Sequence, residues 1–356
     1  MIYALSIDWL SVLCVSHTGE LNLECDVYEY HKEPHGTRHY AELYKVVYLG
    51  ELLCEVQQHP HSSTTKAQSL MVKFANRQLY MREFWGRVSR FLHLHSLRIN
   101  NISRLDICAD FNAFAGDYQP AQFIEDFLAS TIRHVGRGQG GAYFDHGARK
   151  KDGFSLSYVN YSGLFFGSRD SDARAYLYNK SFELATQGDK PYIREMWQQM
   201  GLVNNRDTDV WRLEISLKSG AMTFRDKVTA EQISVTLQAL YDNAFVSKVY
   251  FSYVAALWSF IKNRQGITNV TREPRLELFN GEPRFSRGVI KYESAGNRTE
   301  KILIRQLWTA SETYRGRDSL RTPGETRTIA KDLAACTGLT DWLSLKASNW
   351  KVKHKK

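Results

Sequence analysis

Three segments lying far apart in the chain alternate strictly between apolar and ionisable residues, and this alternation constrains the fold more than anything else in the sequence. In SRLDICADFNAF, Leu105, Ile107, Ala109 and Phe111 fall on one side of an extended strand, with Arg104, Asp106, Cys108 and Asp110 on the other. In VWRLEISLKSG, Leu213, Ile215 and Leu217 oppose Arg212, Glu214 and Ser216. In RAYLYNKSFEL, Tyr176, Tyr178 and Lys180 occupy every second position, so a strand would carry all three on one side. Strands within a sheet do not normally commit a face to charge, so these charges need compensation.

The remaining pattern points to an α+β protein with a mainly antiparallel central sheet, flanking helices and a smaller helical C-terminal region. Residues 1 to about 75 read as strands, among them YALSIDWLSVLCVS, YKVVYLGELLCEV and SLMVKFA. Asp8 interrupts the first apolar run, which reads as a strand and not as a secretory leader. The period then changes, and Leu79, Tyr80, Phe84, Val88, Phe91, Leu92 and His95 predict one amphipathic helix from Arg77 to Leu97. His93 and His95 fall in that helical period, which turns their rings about 200° apart and argues against a paired metal site.

Pro120 opens a predicted helix that ends in the glycine-rich loop GRGQGG, and PYIREMWQQMG predicts a short helix stopped by Gly201. Thr229 and Gln232 form a capping-box pattern that predicts a helix through Tyr241, continued by KVYFSYVAALWSFIKNR. RLEL at Arg275–Leu278 echoes RLDI and RLEI. The resulting division is a strand-rich part over 1–98, a catalytic part over 99–295 and a helical, basic part over 296–356.

Composition narrows the partners. Lysine and arginine exceed aspartate and glutamate by 47 to 38, and the resulting charge of +9 favours a polyanion such as nucleic acid. Five cysteines with no Cys-x-x-Cys pair indicate neither a disulfide framework nor a thiolate zinc site, which fits a reducing cytoplasm. The longest apolar run, YFSYVAALWSFI, is too short to cross a bilayer. GRGQGG lacks the lysine of a phosphate loop, so no nucleotide site is indicated.

Two readings of the charged faces compete. In one, Arg104 and Arg212 pair with the acids, or the face meets water. In the other, Asp106, Asp110 and Glu214 hold Mg²⁺ or Mn²⁺ as hard oxygen ligands, and a tyrosine nearby attacks a phosphodiester. A phenol with the ordinary pKa of about 10 needs assistance, which Lys180 would supply.

The segments SRLDICADF, LFFGSRDSDARAYLYNKSFE and WRLEISLK resemble three successive signatures of the replication-initiation-factor family. That family includes rolling-circle plasmid initiators, related conjugative relaxases and filamentous-phage replication proteins. SIDWLSV resembles its first strand, so the likeness spans Ser6 to Lys218, and within the family the chain is similar to the replication proteins of vibrio-type filamentous phages.

The resemblance implies a bacterial-host enzyme that nicks origin DNA, single-stranded or extruded as a hairpin, to start rolling-circle replication. Tyr178 would be the nucleophile with Tyr176 in reserve, linked to the 5′-phosphate and freeing a 3′-hydroxyl. Asp106, Asp110 and Glu214 would hold the metal, with Glu183 a further carboxylate beside the tyrosine strand. Arg169, Arg174, Lys180 and Arg212 would contact phosphates, joined by Arg137 of the glycine loop and Lys353 of the basic tail. A host helicase and polymerase, and a homodimer, complete the expected partners. A mobilisation relaxase and a non-catalytic origin-binding repressor are the alternatives.

Overall fold

The computed structural model describes residues 1–62, 68–138, 140–151, 154–168, 170–205, 207–264, 272–281, 283, 285–287, 302–308, 323–336, 339–340 and 343–344. The chain divides into two compact units, Met1–Gly288 and Val289–Lys356.

In the first unit, the strands β1 (Tyr3–Val15), β2 (Glu29–Lys32), β3 (Tyr40–Tyr48), β4 (Glu51–Pro60) and β5 (Ser69–Phe74) lead into helices α1 (Asn76–Leu79) and α2 (Phe84–Leu94). Then follow β6 (Arg98–Phe111), α3 (Pro120–Leu128), β7 (Ile132–His134), β8 (Gly140–Lys151), β9 (Phe154–Phe166) and β10 (Ala173–Asn179). The chain continues through α4 (Lys180–Gln187), α5 (Pro191–Gln199), β11 (Trp211–Lys218), β12 (Thr223–Asp226), β13 (Gln232–Ser234), α6 (Asn243–Leu257), β14 (Phe260–Lys262) and β15 (Phe285–Arg287).

Ten strands form one sheet in the order β2-β3-β4-β5-β1-β6-β11-β10-β9-β8, and every pairing in it is antiparallel. The fold is α+β. Two small antiparallel sheets, β13-β12-β15 and β14-β7, flank it.

The alternation of the sequence decides which face is covered. Leu105, Ile107, Ala109, Leu213, Ile215, Leu217, Ala175 and Leu177 are all buried, and the neighbouring helix α6 is buried along most of its length. The Tyr250 hydroxyl of α6 donates to the Leu213 carbonyl at 2.9 Å, fixing that helix to β11. Further along the sheet, Phe84, Val88 and Phe91 of α2 join Leu10, Val12, Val56 and Val72 in the same core. Burial of each such side chain stabilises the fold by roughly 1.5–3 kcal/mol. Emptying the Phe91 position would therefore cost about 3–5 kcal/mol once the cavity is included.

The predicted single helix over Arg77–Leu97 is two helices. The apolar period runs through the break, but the Tyr80 hydroxyl is held by Asp8 at 2.6 Å, and the backbone turns there before α2 begins. His95 caps α2 and is buried, its ring bonded to Tyr30 Oη at 2.6 Å and the Phe91 carbonyl at 2.8 Å, while His93 is exposed.

The predicted helix from Thr229 is a hairpin. The Asp226 carboxylate accepts from the backbone N–H groups of Val228 and Thr229 at 2.7 and 3.1 Å, turning the chain between β12 and β13. The helix starts instead at Asn243, where Asp242 Oδ1 accepts from the Ala244 N–H at 2.8 Å, and the apolar run ends in strand β14. Arg275–Leu278 is irregular backbone and not a strand. The helix predicted from Pro120 is present but stops at Leu128, with strand β7 between it and the glycine-rich loop, and the helix around PYIREMWQQMG is present and followed by Gly201 at φ 72°.

In the second unit, helical residues 302–308 and the helix Pro323–Cys336 contribute Ile304, Trp308, Ala330 and Ala334 to a small core with Leu339 and Leu343. Among the described residues no helix is long and apolar enough to cross a membrane.

Candidate active site on the polar face of the sheet

Antiparallel pairing makes neighbours of the three alternating segments. Across β10, β11 and β6, Tyr178 stands opposite Arg212 and Arg212 opposite Asp110. In the next row Tyr176 faces Glu214, and Glu214 faces Cys108. The row after that places Arg174, Ser216 and Asp106 in line, and β1 extends it to Trp9. The polar side of each segment therefore lands on one face, opposite α6.

That face contains two ionic groupings with different character. In the first, Arg212 is fully buried and bonds Asp110 through Nε at 2.6 Å and Nη2 at 2.8 Å. Its Nη1 lies 2.8 Å from Asp8 Oδ1, and Nη2 also donates to Tyr80 Oη at 3.2 Å. Trp197 Nε1 donates to Asp110 Oδ2 at 2.7 Å. Burial alone would raise the pKa of Asp8, yet Arg212, Lys180 and hydrogen bonds from Tyr80 and Asn76 hold it well below the usual carboxylate range.

The second grouping is less compensated. The Tyr178 hydroxyl donates to Glu214 Oε2 at 3.1 Å. Burial, together with the negative charge of Asp106 and Asp8, pushes the Glu214 carboxyl up to about 7, against lowering effects from Arg212 and the Tyr178 hydrogen bond. Asp106 is also raised, mainly by burial, although Arg104 binds both of its oxygens at 3.0 and 2.5 Å. Burial and the adjacent Glu214 raise the Tyr178 phenol well above its ordinary value. A carboxylate that titrates near neutrality beside a phenol too weakly acidic to ionise alone is an acid–base pair.

The other sequence candidates occupy different settings. Tyr176 lies under the Arg174 guanidinium, 4.6 Å from ring centroid to Cζ, on the same face as Tyr178. Lys180 does not continue the strand; it is the first residue of α4, capped by the Asn179 side chain, which accepts from the Phe182 N–H at 2.9 Å. It is buried, ion-paired to Glu183, and its Nζ lies 5.5 Å from the Tyr178 ring centroid. Glu183 therefore faces lysines, with Lys190 also 4.0 Å away.

Arg212, expected at phosphates, is sealed within the ion network. Arg137 is exposed at the rim of a separate cavity of about 510 Å³, between the turn preceding β10 and α6. Arg169 and Lys353 lie outside the described residues.

The trio Asp106, Asp110 and Glu214 does not converge on a cation. Asp110 is occupied by Arg212 and Trp197, and Asp106 by Arg104. Among the described residues no three His, Cys, Asp or Glu side chains are placed to hold a metal ion. Mg²⁺ or Mn²⁺ on that trio does not fit this arrangement, and the reading in which arginines compensate the acids describes Asp106 and Asp110.

Sequence reasoning missed Asp8, Tyr80 and Trp197. Asp8 carried a signal, an acid within an apolar strand, the same anomaly that marked Asp106. Tyr80 carried none, because its helical spacing placed it in the core.

The chain matches no protein-family model, and no curated protein matches it. Among solved structures it is similar to a rolling circle replication initiator protein from Geobacillus stearothermophilus, at 14% identity and a TM-score of 0.39. That similarity covers 78% of this chain and 93% of the other.

Proposed function

We propose that the chain cuts one strand of DNA through Tyr178, with Glu214 as the general base. The observation that carries this reading is the 3.1 Å hydrogen bond from the Tyr178 hydroxyl to Glu214, whose carboxyl titrates near 7. Glu214 takes the phenol proton as Tyr178 Oη attacks phosphorus. The phosphorus–O3′ bond breaks, the 3′-oxygen leaves and takes a proton from solvent, to which Glu214 returns the phenol proton, and the 5′-phosphate remains on Tyr178. The phosphotyrosine ester retains the energy of the broken bond, so later rejoining needs no nucleotide.

DNA as the substrate is supported by the net charge of +9 and by the three motif strands, which resemble those of replication initiation factors and stand side by side in the sheet. The reading extends to origin-specific nicking of a circular replicon, the free 3′-hydroxyl then priming a host polymerase with a host helicase unwinding ahead of it.

The test is incubation of the full chain with labelled origin DNA, with and without Mg²⁺ or Mn²⁺, followed by denaturing electrophoresis. A denaturant-resistant adduct is expected from the native chain and from Tyr176→Phe, and at least about a thousandfold less from Tyr178→Phe. An undiminished adduct with Tyr178→Phe overturns the assignment.

A further inference from the structure

The sheet face opposite α6 holds two aromatic rings, each covered by a guanidinium, at the same level of the sheet. On β10, Arg174 lies 4.6 Å from the Tyr176 ring centroid. On β1, Arg104 lies 4.3 Å from the Trp9 centroid and Lys73 Nζ 4.5 Å from it. Arg174, Ser216, Asp106 and Trp9 form one cross-strand row over β10, β11, β6 and β1. Three strand spacings separate the two posts, about 14 Å. The Tyr178–Glu214 pair lies beside the first post.

The Trp9 post has the chemistry of a nucleotide site. Arg104 gives Nε and Nη2 to Asp106, which fixes the guanidinium plane over the indole and leaves Nη1 outside that pair. The Arg104 side chain is 42% exposed, and that of Lys73, held by Glu55 at 3.0 Å, is 31% exposed. Arg174 Nε and Trp9 Nε1 are buried and have no hydrogen-bond partner among the described residues. Planar cations layered on aromatic rings accept a further stacked base, while the charge suits a phosphate. Duplex bases are already stacked on one another, so a flat post of this kind selects unpaired nucleotides.

We propose that single-stranded DNA crosses β1, β6, β11 and β10 at right angles to the strands, with bases stacked on Trp9–Arg104 and on Tyr176–Arg174. The inference rests on the nicking reading for its substrate and adds what fixes register. A base held on Trp9, three strands from β10, sets which phosphate reaches Tyr178.

The test uses the full chain and fluorescein-labelled oligothymidylate, with anisotropy read at one fixed salt concentration. Trp9→Ala should weaken binding about tenfold or more, and Trp9→Phe about threefold or less, because phenylalanine retains a stacking face. Trp9→Leu keeps apolar volume without an aromatic face, so it should bind as weakly as Trp9→Ala and serves in its place where alanine impairs folding. Oligothymidylate affinity unchanged in Trp9→Leu overturns the track. Loss of binding in Trp9→Leu from a chain that forms no adduct keeps the track and removes the nicking reading. An adduct from a chain whose Trp9→Leu variant binds normally removes the track alone.

Discussion

Asp110 and Glu214 sit on adjacent strands of the same face, and the sequence presents them in nearly identical settings, yet their surroundings differ in kind. Asp110 receives two bonds from Arg212 and one from Trp197, and is fully buried. Among the described residues Glu214 receives a bond from Tyr178, and it feels Asp106 and Asp8 as like charges. The difference separates a carboxylate that holds the sheet together from one that keeps a proton exchangeable near neutral pH. Compensation is complete around Asp110 and partial around Glu214.

The strongest way to break this contrast is to remove Arg212. Arg212→Met leaves the buried Asp110 and the half-buried Asp8 without their cation, and a loss of about 3–5 kcal/mol in unfolding free energy is expected by urea titration. A loss below about 1 kcal/mol would show that water already compensates the network.

Glu214→Gln sharpens the same contrast from the other side. Adduct formation should fall about 10²–10⁴-fold, the usual range for loss of a general base. Stability should respond in the opposite direction. The folded-state pKa of Glu214, about 7, lies above its ordinary 4.5, so its contribution is present below 4.5 and is withdrawn as pH rises through 7. The variant should therefore gain on the native chain between those values, read as thermal midpoints across pH. Asp8 behaves inversely: its depressed pKa gives stability above its ordinary 3.8, lost as pH falls below it.

The smallest effect expected is that of Tyr80→Phe, which removes the hydrogen bond to Asp8 and the acceptor for Arg212. About 1–2 kcal/mol of stability should go, with adduct chemistry intact. A larger effect on adduct formation than on stability would place Tyr80 in the chemistry.

The contrast also explains what was legible in the sequence. Alternation in three segments is enough to give the strands β6, β10 and β11 and the side each turns to the core, because period two has only one geometric meaning. Pro120 and Gly201 marked helix ends for the same local reason. The break between α1 and α2 was not legible, because a hydrogen bond from Tyr80 to a residue 72 positions away overrides an unbroken helical period. Lys180 was misplaced although a signal was present: Asn179 is a favoured N-cap, and the strand stops where its side chain captures the Phe182 N–H. Thr229 misled because the capping pattern of Thr followed by Gln also occurs in a hairpin tightened by Asp226. Nor could alternation say which acid belongs to which arginine. The division between Asp110 and Glu214 comes from strand order, from Asp8 on β1 and from Trp197 on α5.

The measurement that bears most directly on the Tyr178–Glu214 pair is the rate of adduct formation as a function of pH, under single-turnover conditions with saturating DNA. The pair predicts a rate that rises with deprotonation of a group near pH 7 in the native chain, and loss of that inflection in Glu214→Gln. An inflection retained unchanged in Glu214→Gln would contradict Glu214 as the base.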